Sequence, residues 1–463
     1  MSGSDVKTFG WPGVGFLLLI NLIAASLFFS PGTGDVGTWG TWIREMSAFG
    51  LVGGFVHSGT DYPPLALIIL ATVSRSADVF GTTVFLSLKC SLLIFLTATA
   101  ATFYWFSRNL ILTAVLEFSL ILNSVALGYL DIYFAPFLIA TFFCLQRGHF
   151  KMGVLMLAIS CSIKWQPLLI APFICIYVIS AAGEGLSGRD KAYKRAVPFM
   201  IAVLLVVLPM VMMFGAGAII NSLQRAMTRH NFISGYALNF GWLHTWALHL
   251  WAPEKYGSLQ NGEIDLIQSR DALLLLPEKV LFYLSYGAIL IAFALQKKTF
   301  KQLIVYSMLG YLAYFLFNTG VHENHLFPIA CLAWILVFID SSQLVRAINL
   351  SIAANINLFL FFGVFGQRVK PGHRRTRYHA FVCARQSVPV RRLSVAHFQS
   401  RQRPTQVLAI AEASAIRRSE LNSRSRFSSR RFRPAVRAKM SIFSGNAKRA
   451  LYPFPRLLRP VPD

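Results

Sequence analysis

The chain has 463 residues, of which 55% are hydrophobic and only 14% charged. Soluble domains are roughly one quarter charged, so this composition excludes an ordinary water-soluble enzyme, and its apolar content excludes a disordered chain. The 44 Lys and Arg against 19 Asp and Glu give a net charge of +25, and it is localised: residues 367–463 hold 23 basic and three acidic side chains, whereas residues 1–366 hold 21 and 16. The division predicts a nearly balanced membrane domain, 1–366, followed by an Arg-rich low-complexity tail, 367–463.

Taken in chain order, apolar stretches recur from Gly13 to Gly366. A helix crosses a hydrocarbon core with roughly 17–25 apolar residues, its backbone polar groups satisfied internally. Eleven stretches reach or approach that length: Gly13–Phe29, Val84–Phe106, Leu110–Leu127, Ile132–Leu145, Met152–Ile163, Pro167–Ser180, Val197–Gly215, Val280–Leu295, Leu303–Phe317, Leu326–Ile339 and Ala347–Gly366. The expected fold class is therefore all-α, a polytopic transmembrane helix bundle. Gly13–Phe29 follows a single Lys7 and precedes no small-residue cleavage site, so it reads as a first span and not a signal peptide.

Arg108, Arg147, Lys151, Arg189, Lys191, Lys194, Arg195, Lys297, Lys298, Lys301 and Arg346 cluster between alternate spans, which places those loops in the cytoplasm. The opposite side receives Ser30–Thr83, the turn at Gly128–Asp131, the long stretch Ala216–Glu278 and the turn Thr319–His325. These outer loops collect the polar residues.

In the first, Asp35 follows the first span, where partial desolvation raises a carboxylate toward use as a general base. A solvated Asp under an interfacial aromatic belt is the alternative. Trp39 and Trp42 nearby suit stacking on sugar rings. The run Asp61-Tyr62-Pro63-Pro64 predicts a proline-started helix, and Leu65–Phe80, interrupted by Ser74, Arg75, Ser76 and Asp78, reads as a surface helix. Asp131 either joins Asp35 in acid/base work or cation binding, or caps the next helix. Lys164, in Ile163-Lys164-Trp165-Gln166-Pro167, is an ionisable group between two apolar runs whose natural partner is an anion, with snorkelling as the alternative. Lys89 and Glu117, inside spans, read as a structural pair. His322, Glu323 and His325 share one short turn, a spacing unspecific for zinc and equally suited to a phosphate. Five of the six cysteines sit in predicted spans, without disulfide or zinc spacing, and neither nucleotide-binding loops nor internal repeats are visible.

Several of these motifs, in this order, resemble the GT-C class of integral-membrane glycosyltransferases, closest to the Alg-type glucosyltransferases that use a polyprenyl-phosphate sugar. Gly34-Asp35 resembles the family's acidic residue in the first outer loop, and Asp61-Tyr62-Pro63-Pro64-Leu65 its Asp-Tyr-Pro-Pro-Leu signature. Lys164-Trp165-Gln166-Pro167 is similar to its Lys-Gln helix break, and Val321-His322-Glu323-Asn324 to its Val-His-Glu-Lys turn with Asn324 in place of Lys. Ala237–Trp242 resembles an Ala-Asn-Phe-Trp element. The resemblance covers Gly13–Gly366. It lacks the Asp-Glu pair of protein O-mannosyltransferases and the Trp-Trp-Asp-Tyr-Gly run of oligosaccharyltransferases.

The resemblance implies inverting transfer of a hexose from a polyprenyl-phosphate donor to a lipid-linked or other glycan acceptor hydroxyl on the non-cytoplasmic face. Asp35 would be the catalytic base. Lys164, His322, His325, Arg225 and Arg229 would hold the donor phosphate, with Trp39, Asp61, Tyr62, Asp131, Asn239, Trp242 and Glu323 binding substrate or supporting the site. No metal is required, although a divalent cation is compatible. The short core suits a bacterial inner membrane with a periplasm-facing site, the endoplasmic reticulum being the alternative. The competing class is a transporter or flippase of lipid-linked sugars, which also uses intramembrane charges and broken helices.

The tail is aperiodic, with Arg pairs at Arg374-Arg375, Arg391-Arg392, Arg417-Arg418 and Arg430-Arg431. It reads as a disordered basic segment with no specific nucleic-acid partner. An abrupt change of this kind is also what a shift of reading frame near Gln367 would produce.

Overall fold

The computed structural model describes residues 11–181, 188–257, 265–269 and 276–366. The expectations for the tail after Gly366 lie outside the described residues. The chain is all-α. Helix α1 (Trp11–Ser26) leads to α2 (Asp35–His57), α3 (Pro64–Phe80), α4 (Val84–Ser107) and α5 (Leu110–Leu120), which continues as a π-helical stretch, Leu122–Ala126. Then follow α6 (Ala135–Gln146), α7 (Phe150–Ile163), α8 (Ala171–Ala181), α9 (Gly188–Ala202), α10 (Leu208–Phe214), α11 (Ala216–Thr228), α12 (Phe240–Trp251) and the short α13 (Pro253–Tyr256). Helices α14 (Leu276–Leu295), α15 (Phe300–Phe317), α16 (Phe327–Ile339) and α17 (Leu344–Phe362) complete the order. Among the described residues, extended pairing is limited to isolated bridges.

Local chemistry accounts for the boundaries. Thr83 and Asn109 cap α4 and α5 by accepting from the N–H groups of Leu86 and Leu112, and Thr299 and Gln302 form a capping box on α15. Pro64 begins α3, where its missing N–H costs no intrahelical bond, and Gly81 ends it in the left-handed region.

Five segments are long and apolar enough to cross a membrane: Val84–Ser107, Tyr193–Phe214, Pro277–Leu295, Phe300–Phe317 and Ser341–Phe362. Six shorter apolar segments, Gly13–Phe29, Leu110–Ala126, Leu130–Gln146, Phe150–Ile163, Ala171–Ala181 and Glu323–Ile339, correspond to the other expected spans. Several are short for one reason. The chain breaks helical geometry at 127–129, 164–170 and 318–322, next to the polar residues singled out above, so those groups sit at helix ends inside the bundle.

The core is centred on α16, which is apolar all round and buried from Phe327 to Val337 against α5, α6, α15 and α17. Tyr133, Phe134, Phe142 and Phe143 fill the space beside it. On the periphery, Leu204, Leu205, Met212, Leu284, Ile291 and Leu360 are exposed. Apolar side chains exposed in such numbers fit a bilayer as their solvent, and the chain has the construction of a multi-pass membrane protein.

Two structural expectations are corrected. Lys89 and Glu117 do not pair. The Lys89 Nζ donates to the carbonyls of Val125 (2.6 Å) and Ala126 (3.1 Å), which belong to the π-helical stretch, and Glu117 accepts from Asn21 at 3.0 Å. An ammonium with three donors satisfies main-chain oxygens that the altered helix leaves over. Asp131 does not cap α6 either, because Phe134 holds that position and Pro136 already removes one of the first-turn N–H groups. The Asp131 carboxylate is engaged elsewhere.

Candidate functional site

The break between α7 and α8 sets the site's centre. Lys164 terminates α7 in an extended conformation, and Pro167 forbids continuation, so the chain turns through a short 3-10 segment, Gln166–Leu169. Lys164 does not snorkel. Its Nζ lies 2.7 Å from Asp131 Oδ1, with the two side chains 8% and 0% exposed. The other carboxylate oxygen, Oδ2, accepts from Asn324 Nδ2 at 2.9 Å. A buried carboxylate just past the break at 127–129 thus ties it to Lys164, which opens the break at 164–170, and to Asn324, just past the break at 318–322. The Lys164 ammonium also stands over the Tyr62 ring, 5.3 Å from its centroid.

Tyr62 is fixed from below by Trp39 and Trp42, whose ring centroids lie 5.2 and 5.4 Å away. Trp39 Nε1 donates to the Gly128 carbonyl at 3.0 Å. Both tryptophans are buried, so they form a floor beneath Tyr62 and offer no ring face to a sugar, contrary to the stacking role expected of them.

Helix α11 and the segment after it close over these groups. Ser222 donates to the Tyr62 carbonyl at 2.7 Å. Arg229 and His230 reach the two oxygens of Asp61 at 3.2 and 3.3 Å. Residues 232–236 then run beside 320–322, with Gly320 N donating to Phe232 O and Gly235 N to Val321 O, both at 2.8 Å. The close approach demands glycine at Gly235, where a Cβ would stand 2.9 Å from the His322 ring, and at Gly320 (φ +67°), where it would meet the His230 carbonyl at 2.3 Å.

The imidazoles of His230, His322 and His325 follow one another, with centroids 4.3 and 5.5 Å apart. His325 Nδ1 lies 2.9 Å from the Tyr314 hydroxyl and accepts from the His322 main-chain N–H at 3.3 Å, an arrangement that leaves the ring proton on Nε2. Glu323 accepts from the Tyr129 hydroxyl, and its carbonyl accepts from Asn357 Nδ2 at 2.5 Å. Asn357 Oδ1 in turn accepts from Leu238 N at 2.8 Å, so one amide on α17 holds both outer segments.

Asp35 opens α2 at the edge of this assembly. Burial raises its pKa, and the charges of Asp61 and Asp131 add to the rise against the opposing effects of Lys164 and His230. Burial also acts to raise Asp61, but the hydrogen bond from His230 and the charge of Arg229 outweigh it and hold that carboxyl below its usual value. His322 is pushed down to about 3 by burial and by the neighbouring His230 and Lys164, so it is neutral near pH 7. Two carboxylates, Asp61 and Asp131, are thus committed to cations, while Asp35 makes no hydrogen bond or ion pair among the described residues. A desolvated, uncommitted carboxylate can take a proton from a hydroxyl brought beside it, and the cations nearby can hold an anionic leaving group.

Most of the residues singled out in the sequence therefore meet here: Asp35, Asp61, Tyr62, Asp131, Lys164, Arg229, His322, Glu323 and His325. Arg225 is peripheral, its guanidinium beside Gly59. Asn239 caps α12 through Trp242 N (2.9 Å) and donates to Phe315 O (2.9 Å), and Trp242 packs on Phe361 at 5.0 Å, so both are structural supports. His230, Asn357, Tyr129 and Tyr314 escaped the sequence reading. Only His230, adjacent to Arg229, carried any signal. Among the described residues, no group of three or more His, Cys, Asp or Glu is placed to hold a metal ion. Among the described residues, both amide atoms of Gln166 and the His322 Nε2 lack a protein partner and offer unspent hydrogen-bonding capacity.

No protein-family model matches the chain, and no curated protein matches it significantly. The class defined by fold and site is that of an all-α protein built for a bilayer, with a charged polar site among its broken helices.

Proposed function

We propose that the chain is a membrane glycosyltransferase that moves a hexose from a polyprenyl-phosphate donor to an acceptor hydroxyl, with inversion, at the non-cytoplasmic face. The observation that carries this reading is the division of labour among three carboxylates: Asp61 and Asp131 bind cations, whereas Asp35 is desolvated and uncommitted. Asp35 accepts the acceptor's proton as its oxygen attacks the anomeric carbon, and the bond to the donor phosphate breaks on the opposite side. Lys164, Arg229 and the imidazoles of His322 and His325 offset the charge gathering on that phosphate. Lys164 keeps donor capacity beyond its bond to Asp131, since an ammonium has three N–H groups. Gln166 offers both a donor and an acceptor to sugar hydroxyls. The lipid part of the donor lies among the exposed apolar helices.

The test is transfer of label from a radiolabelled polyprenyl-phosphate hexose in membranes carrying the protein. Asp35→Asn removes the base with little change of shape, and loss of a general base costs roughly 10²–10⁴-fold in rate. Full transfer activity in that variant would overturn the assignment. If the wild-type protein carries the intact lipid across the membrane without transferring its sugar, the protein is a flippase and not a transferase.

A further inference from the structure

Helix α12 (Phe240–Trp251) is built inside out. Its exposed side chains are Phe240, Leu243, Trp246, Ala247, Leu250 and Trp251, all apolar. At 3.6 residues per turn they fall within an arc of about 140°. The opposite face carries Gly241, Thr245, Leu248 and His249, all buried, beside the half-buried His244. Thr245 donates to the Gly241 carbonyl at 2.8 Å, and the two His249 ring nitrogens lie 2.8 and 3.0 Å from the main-chain oxygens of Gly257 and Asp265. The helix thus spends its polar groups inward and points its large apolar groups out. A helix facing water carries the reverse pattern.

Its anchorage fixes where it lies. At its start, Asn239 donates to the Phe315 carbonyl at 2.9 Å, and the Phe240 ring stands 6.4 Å from that of Phe317, the last residue of α15. About one turn later, His244 hydrogen-bonds Glu278 in the first turn of α14. Helices α14 and α15 pack together across the short connection 296–299, so they run antiparallel and these two ends share one end of the bundle. It is the end that bears the polar site, since His322 follows α15. Leu316 on α15 and Val280 and Leu284 on α14 are exposed there too, so the α12 stripe continues the apolar flank of two candidate spans. Its 12 residues rise only about 18 Å against a hydrocarbon core of about 30 Å, and the exposed Glu254 and Lys255 follow at once. Two exposed tryptophans suit the boundary between headgroups and acyl chains.

We propose that α12 is an interfacial anchor, lying along the membrane surface on the side of the polar site with its Leu243–Trp246–Leu250 stripe sunk among the lipids. On its inner face Leu248 clusters with Ile233, Tyr256 and Ile267. Ile233 belongs to the segment 232–236 that runs beside 320–322, so the anchor holds the cover of the polar site at the level of the bilayer surface.

The experiment reconstitutes the full chain in phosphatidylcholine vesicles and reads tryptophan emission. The chain has nine Trp, so the signal of Trp246 is the wild type minus Trp246→Phe. Interfacial helices sink about 5–10 Å into the headgroup and acyl boundary, so a nitroxide carried by the lipid near its headgroup should quench that difference at least about twofold more than one at the acyl-chain end. Aqueous iodide should quench it weakly. Trp251→Phe gives the same reading from the other end of the stripe and takes over should the first variant fail to fold. The proposal is overturned if the deep nitroxide quenches as strongly as the shallow one, if iodide is the effective quencher, or if none of the three quenches because protein covers the face. These readouts do not involve sugar transfer, so they stand apart from the test of Asp35.

Discussion

The buried pair Lys164–Asp131 allows a quantitative test of the site's architecture. With side-chain exposures of 8% and 0%, neither charge has water to fall back on, and Asp131 spends its second oxygen on Asn324. Asp131→Asn preserves volume but leaves the ammonium without a counter-charge and turns an NH₂ group toward either Lys164 or Asn324, both donors. Removing one member of a buried pair costs about 3–5 kcal/mol, because the remaining charge stays desolvated. Lys164→Met strands the carboxylate on one amide and should cost a similar amount. The double variant Asp131→Leu/Lys164→Met removes both charges, and such replacements are often close to neutral. The expected coupling between the two positions is therefore on the order of 3 kcal/mol or more. Thermal unfolding in detergent reads this as single variants lowered by roughly 6–10 °C and a double variant lowered by much less. If the double variant loses the sum of the two single losses within about 0.5 kcal/mol, the residues act independently and the pair does not organise the site.

Two further outcomes follow from the electrostatics. His322 is held at about 3 in the folded protein against 6.5 when free, so the unfolded chain binds the extra proton over that interval, and stability should fall as pH drops from about 6.5 toward 3. In His322→Gln the thermal midpoint should therefore vary less steeply over that range, and an unchanged slope would refute burial of a neutral imidazole. Arg229, 45% exposed in its pair with Asp61, should contribute no more than about 1 kcal/mol to stability, yet Arg229→Ala should raise the KM for a polyprenyl-phosphate donor. An unchanged KM would remove Arg229 from the phosphate site.

The chain's linear features made the bundle legible because the cause is local. An apolar run of span length has few alternatives to a buried helix. The breaks at Gly128–Asp131, Lys164–Pro167 and Asn318–His325 were visible for the same reason, since Gly, Pro and charged residues interrupt such a run wherever it is placed. His230 and Asn357 were not legible. A histidine beside an arginine, or an asparagine within an apolar helix, shows its role only when its partner, Asp61 or the Glu323 carbonyl, arrives from a distant segment. The expected pairing of Lys89 with Glu117 failed on the same ground, because two opposite charges in separate spans do not specify which carbonyls or amides stand closer.

The sequence by itself thus determined that the chain is a helical membrane protein with a cluster of polar residues at its helix breaks, since hydropathy and helix-breaking residues act over a few turns. Only the tertiary structure decided which charges cancel: Asp131 with Lys164, Asp61 with Arg229, and Asp35 with none among the described residues. In a low-dielectric interior a charge's state depends on what stands within a few ångströms of it. That proximity belongs to the packing of breaks far apart in the chain.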